Sequence, residues 1–184
     1  MARTESTMLA LGTGAPDFAL TDVVSGRVVR RDDFRSKALL VMFICPHCPF
    51  VKHIEKELAV LGKDYAGKPL GIVAISSNDA VAFPEDSLEG MQQQATAMGF
   101  GFPYLYDEAQ GVAKAYEAAC TPDFFLFDEW FRLVYRGQFD ASRPQTGIPV
   151  TGKDLRAAIN AVLAGQVVST DQRASLGCNI KWKA

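Results

Sequence analysis

The chain has 184 residues, 48% of them hydrophobic, with 19 basic and 21 acidic side chains and a formal net charge of −2. That length carries one domain with a sizeable core and is short for two. Basic residues alternate with acids, as in Arg30-Arg31-Asp32-Asp33, and no apolar run reaches the length of a bilayer span, so neither nucleic acid nor membrane is an expected partner.

Residues 1–13 read as a flexible lead, 14–165 as the folded domain and 166–184 as a tail without a readable period. The polar start, Met1 to Met8, lacks the apolar segment of a secretory leader, and a cytoplasmic location is the expectation. Asp22 to Val29 carries a turn at Ser25-Gly26 between two extended segments, which predicts a hairpin. Asp32-Asp33-Phe34 offers one helical turn. The apolar run 38–44 reads as a buried strand, and after Pro49 the apolar residues Phe50, Ile54, Leu58, Leu61 and Tyr65 take helical spacing to about residue 65. Lys52, His53, Glu55 and Lys56 are then expected to face water.

Leu70 to Ser76 supplies a second buried strand, completing a βαβ unit whose strands must be parallel. A polar loop, 78–86, follows at the sheet edge where open α/β folds place their sites. Helices are predicted over 87–98 and about 108–118, with an extended segment at 102–106 between them. Segments 123–127 and 131–136 form a predicted antiparallel hairpin, with Phe124, Phe125, Phe127, Trp130 and Phe131 as its core. Thr151 is the expected N-cap of a last helix, about 152–164, stopped by Gly165. Asp107, Arg136 and Asp140 lie near strand ends and read as surface residues.

The chemistry concentrates at Cys45-Pro46-His47-Cys48, where the strand hands over to the helix. The first helical turn presents unpaired N–H groups and the positive end of the dipole, which stabilise an anion. In a Cys-X-X-Cys motif at a helix start, a thiol pKa falls to roughly 3.5–7.5. Cys45 is therefore the expected nucleophile at neutral pH, and Cys48, one turn further in and shielded by the helix, its resolving partner in a dithiol/disulfide switch. Four cysteines in a chain without a secretory leader argue for redox or metal chemistry over a structural disulfide framework. A structural zinc site needs a second close pair of ligands, whereas Cys120 and Cys178 stand singly, so no metal is expected. A c-type haem needs His directly after the second cysteine, where Pro49 stands. No cofactor is expected.

Strand, Cys45-Pro-His-Cys48, helix, strand, then Thr121-Pro122 ahead of an antiparallel hairpin and a terminal helix, resembles the thioredoxin fold over about residues 14–165. The fold class is accordingly α/β, a central mixed sheet flanked by helices, with an N-terminal hairpin and an inserted helix at 87–98. Those additions make the chain similar to the alkyl hydroperoxide reductase/thiol-specific antioxidant and cytochrome-maturation reductase branch. The Phe-Ile-Cys-Pro-His-Cys-Pro-Phe-Val-Lys run and the Gly-Cys-Asn-Ile-Lys-Trp end also resemble a group of uncharacterised bacterial thioredoxin-family proteins. The resemblance implies a cis bond at Pro122 facing the dithiol, and an exposed Thr121 backbone that pairs with an extended substrate chain. Pro46, His47, Thr121 and Pro122 are then the substrate-binding residues.

His47 reads either as a cation favouring the thiolate or as a solvated loop residue. Cys120 and Cys178 are candidate third thiols, against the plainer readings of a buried inert thiol and an undocked tail residue. The expected activity is thiol-disulfide oxidoreduction. Its partners are a disulfide-bearing protein or a small-molecule disulfide or peroxide, and an upstream thiol reductant. The direction of electron flow stays open, with reduction favoured in a cytosol that keeps thiols reduced. The alternative is a peroxidase, in which one cysteine is oxidised to a sulfenic acid and the other resolves it. That branch places a threonine three residues before its reactive cysteine, where this chain has Met42 or Cys45, and an arginine ahead of a late strand, where it has Cys120-Thr121-Pro122.

Overall fold

The computed structural model describes residues 3–184. In chain order the strands and helices are β1 (Arg3–Glu5), β2 (Ala19–Thr21), β3 (Val28–Arg30), β4 (Ala38–Phe43), α1 (Pro49–Asp64), β5 (Leu70–Ser76), α2 (Leu88–Met98), β6 (Tyr104–Tyr106), α3 (Gly111–Ala115), β7 (Cys120–Thr121), β8 (Asp123–Asp128), β9 (Leu133–Gly137), α4 (Lys153–Leu163) and β10 (Leu176–Asn179). The main sheet has the order β6-β5-β4-β8-β9. β4 pairs parallel with β5 and antiparallel with β8, β5 pairs parallel with β6, and β8 pairs antiparallel with β9, so the sheet is mixed as expected. β2 and β3 form the predicted early hairpin.

β4 is buried along its whole length because both of its faces are covered. Leu40 and Met42 point into a core shared with Ile54 and Leu58 of α1, Met91 of α2, and Leu155 and Ile159 of α4. Leu39, Val41 and Phe43 point to the other face, against Phe18, Ala113, Tyr116, Phe125 and Phe127. The alternation of side chains along a strand produces this division.

Several expectations need correction. The lead and the tail are not loose: β1 pairs antiparallel with β10, and β10 pairs antiparallel with β7, making a second sheet. Strands this short lie below the length at which a hydrophobic period can be read; Met1 and Ala2 of the expected lead lie outside the described residues. The N-cap of α4 is Gly152, in the left-handed region at φ 65°, not Thr151. The donors at that helix start go instead to the buried Asp140, which accepts from Thr151 N at 2.7 Å and Gly152 N at 2.6 Å.

Asp140, Asp107 and Arg136 are therefore interior, not surface, residues. Asp107 accepts from Ser77 Oγ and Ala113 N, each at 2.9 Å. Arg136 pairs with Asp123 at 3.1 Å and lies over the Phe125 ring. Each buried charge is matched by donors or an opposite charge, the condition under which burial is tolerated. Trp130, expected in the hairpin core, is 70% exposed at the β8–β9 turn. His53, expected to face water, is half-buried, with Nε2 2.6 Å from Ser142 Oγ.

Candidate active site

Ile44 continues the β4 ladder, its N–H donating to Ile75 O at 3.0 Å, and the chain then turns through Cys45-Pro46-His47 into α1. Cys48 is the N-cap of α1 and Pro49 its first residue. Proline suits that position because its missing N–H would have had no intrahelical acceptor. The strand end thus places Cys45, and the helix start places Cys48. Both cysteines are fully buried.

Thr121-Pro122 is a cis peptide, as the resemblance implied. Thr121 bridges the pair: its hydroxyl lies 3.4 Å from Cys45 Sγ and its carbonyl oxygen 3.1 Å from Cys48 Sγ. The expected exposure of the Thr121 backbone is corrected. Thr121 is buried and pairs with Cys178, so the edge assigned to a substrate chain is filled by this chain's own tail.

The Gly177-Cys178-Asn179-Ile180-Lys181-Trp182 end accounts for that docking residue by residue. A Cβ on Gly177 would run into the Thr121 carbonyl group and Pro122 N, so only glycine lets the strand come this close. Cys178 Sγ then lies 2.9 Å from Cys48 Sγ. Ile180 is buried in the second core cluster, and Lys181 N donates to Asn78 Oδ1 at 2.8 Å. Cys120, the other candidate third thiol, contacts the Pro122 carbonyl at 3.5 Å instead, and burial raises its pKa.

His47 is not a solvated loop residue. Its side chain is 9% exposed and stacks on Phe83 with the ring centroids 5.2 Å apart. Its Nδ1 contacts Asp86 Oδ2 and lies 3.8 Å from Cys45 Sγ. Asp86, fully buried, also accepts from His47 N at 3.0 Å and from Asn78 Nδ2 at 2.8 Å. Asn78, through Lys181 N, joins this network to the tail. Gly90 of α2 leaves room for the Glu85 carbonyl, which holds the turn carrying Asp86 in place. Nothing in the sequence marks Asp86 and Asn78 beyond the placement of their loop at the carboxyl edge of β5.

Cys45 Sγ, His47 Nδ1 and an Asp86 oxygen all lie within 4.8 Å of one another, a donor set that could face a metal ion. Two of these three donors already partner each other, His47 Nδ1 lying against Asp86 Oδ2.

The electrostatics of the reduced pair follow from these contacts. The neighbouring Cys45 thiol brings the Cys48 pKa down to about 5 against the cost of burial; Cys178, Thr121 and the Val51 N–H lower it further. Burial holds the Cys45 thiol well above its ordinary range, and Cys48 and the Asp86 carboxylate add to this. Cys178 is raised to about 12, by burial and then by Cys48. Of the two sulfurs, Cys48 is the one whose ionisation the neighbouring groups favour, whereas the sequence expects the thiolate at Cys45.

The arrangement is a buried dithiol with a third thiol in contact, fit for thiol-disulfide exchange. The chain is 56% identical, at a TM-score of 0.97, to the crystal structure of an uncharacterized conserved protein from Geobacillus kaustophilus, with 100% of this chain and 97% of that one covered. A putative thiol:disulfide interchange protein DsbE from Chlorobium tepidum shares the fold at a TM-score of 0.68 and 20% identity, covering 85% of this chain and 99% of that one. Among curated proteins it is 32% identical over 127 residues to the thiol-disulfide oxidoreductase ResA of Geobacillus kaustophilus, 68% of each chain. The profile of the AhpC/TSA family matches residues 11–136, which hold the dithiol, the cis-proline and the mixed sheet, and the chain belongs to that family.

Proposed function

We propose that the protein is a thiol-disulfide oxidoreductase in which Cys45 attacks and Cys48 resolves. The observation that carries this reading is the enclosure of the two sulfurs. Cys48 is walled in by α1, the Thr121 carbonyl and Cys178, while Cys45 sits on the loop beside His47, and the next residue of that loop, Pro46, borders a surface groove of about 640 Å³ with Lys52 and Glu85. Both sulfurs are buried, and a substrate disulfide reaches Cys45 through that loop.

The resting charge on Cys48 gives the first step a base. As Cys45 attacks a substrate sulfur, its proton passes to the neighbouring Cys48 sulfur, whose pKa is the lower of the two. The substrate disulfide breaks, one half leaving as a thiolate and the other held on Cys45 as a mixed disulfide. Cys48 then attacks the Cys45 sulfur, and its proton goes to the second substrate sulfur, which leaves as a thiol. The resulting 45–48 disulfide is reduced by a separate thiol system. Thr121 and Pro122 hold the pair, and His47, fixed by Asp86, faces Cys45 as the leaving groups depart. We place this chemistry in the cytoplasm, as a reductase of protein or small-molecule disulfides.

Cys48→Ser should accumulate a mixed disulfide through Cys45 when given a disulfide substrate, read by non-reducing mass spectrometry. No adduct, or equal trapping through Cys48 in Cys45→Ser, contradicts the assignment. Oxidation of the wild-type dithiol by hydrogen peroxide no faster than that of a free thiolate would leave the peroxidase alternative unsupported.

A further inference from the structure

The tail brings a third sulfur to the pair. Cys178 Sγ is 2.9 Å from Cys48 Sγ, roughly 1 Å longer than the about 2.05 Å of a disulfide bond. The approach is built from the backbone: β10 is paired on one side with β7 at Cys178–Thr121 and on the other with β1 at Arg3–Cys178. Gly177 supplies the absent side chain that this closeness requires, and Lys181 N on Asn78 anchors the far end.

Cys178 also faces a different part of the surface from Cys45. It lines a groove of about 330 Å³ with Arg3, Pro49, Phe50, Pro144 and Leu176, whereas Cys45 lies under His47 and Phe83.

Building on the Cys45–Cys48 reading above, we propose that Cys178 is a third redox thiol, to which the 45–48 disulfide is passed as a 48–178 disulfide. The Cys178 sulfur loses its proton and attacks Cys48 Sγ. The Cys45–Cys48 bond breaks, the Cys48–Cys178 bond forms, and Cys45 leaves as a thiolate that takes up the proton. No electrons are gained or lost, so the step needs no co-reactant. Cys45 is freed for substrate while the disulfide waits beside the tail groove. A thiol reductant entering there attacks Cys178, forms a mixed disulfide with it and returns Cys48 as a thiol; a second reductant thiol releases Cys178.

The test is a disulfide map. The full chain is equilibrated with oxidised glutathione, quenched in acid, alkylated and digested with trypsin without reduction. Cleavage after Lys37 and Lys52 leaves Cys45 and Cys48 on one peptide, and cleavage after Arg173 and Lys181 leaves Cys178 on another. The wild type should yield these peptides joined, and Cys45→Ser should still join them, which assigns the bond to Cys48. Cys178→Ser should lose the joined species and keep the closed 45–48 peptide.

Joined peptides absent from both the wild type and Cys45→Ser, with Cys178 alkylated throughout, would overturn the proposal. If Cys178→Ser does not fold, the Cys45→Ser arm decides alone. The outcomes keep the two readings apart: a closed 45–48 peptide with Cys178 always free sinks only the third thiol, while joined peptides with no 45–48 closure in any chain sink only the Cys45–Cys48 exchange.

Discussion

Asp86 reaches the site from a loop 39 residues beyond His47. Its carboxylate is one of the charges that hold the Cys45 thiol protonated, and its contacts with His47 N and Nδ1 fix the imidazole against that sulfur. Asp86→Asn removes the charge and keeps most of the shape. In a Cys48→Ser background, where Cys45 titrates without its partner, alkylation of Cys45 should begin at lower pH than with Asp86 present. An unshifted profile would mean that Asp86 only shapes the loop. The sequence shows the cysteines, His47 and Pro122 because their spacing carries the chemistry. It does not show Asp86, because a carboxylate in a polar loop looks the same whether solvated or buried, and only the closure of the turn against Gly90 decides which.

At the scale of elements, the helices and long strands are legible because each buries a face with a period. α1, β4, β5 and α2 fall within a residue or two of their expected bounds. β1, β7 and β10 escape, being short strands held by partners far along the chain. The same three strands determine what the dithiol touches, so the part of the site least visible in the sequence is the part that covers Thr121. Gly177→Ala tests that docking. The added methyl group meets backbone at Thr121 and Pro122, which has no flexible side chain to yield, and an overpacked site of this kind costs about 1–3 kcal/mol. The expected outcome is a lower denaturation midpoint together with faster alkylation of Cys178 in the native state. Unchanged values for both would show that β10 does not lie tightly on β7.

For the molecule as a whole, the thiols tie stability to redox state and pH. Cys48 has a folded pKa of about 5 against an ordinary 9.0, so its ionisation stabilises the folded, reduced protein at high pH, and that stability is lost as pH falls from about 9 through 5. Closing a disulfide removes the ionisable thiol and this pH dependence with it. The raised thiols Cys45 and Cys178 stay protonated through that window and leave the sign unchanged. The reduced chain should therefore gain on the oxidised chain in urea midpoint between pH 5 and pH 8, and a difference that is flat with pH would contradict the charge on Cys48.

The most direct test of the whole account is to equilibrate the wild-type chain against a series of glutathione redox buffers and read its intact mass at each poise. The account predicts a single two-electron transition, from a fully reduced chain to one lighter by the hydrogens of a closed disulfide, with the transition abolished in Cys48→Ala. A chain that only accumulates glutathione adducts as the buffer becomes oxidising, with no intramolecular closure, would contradict it.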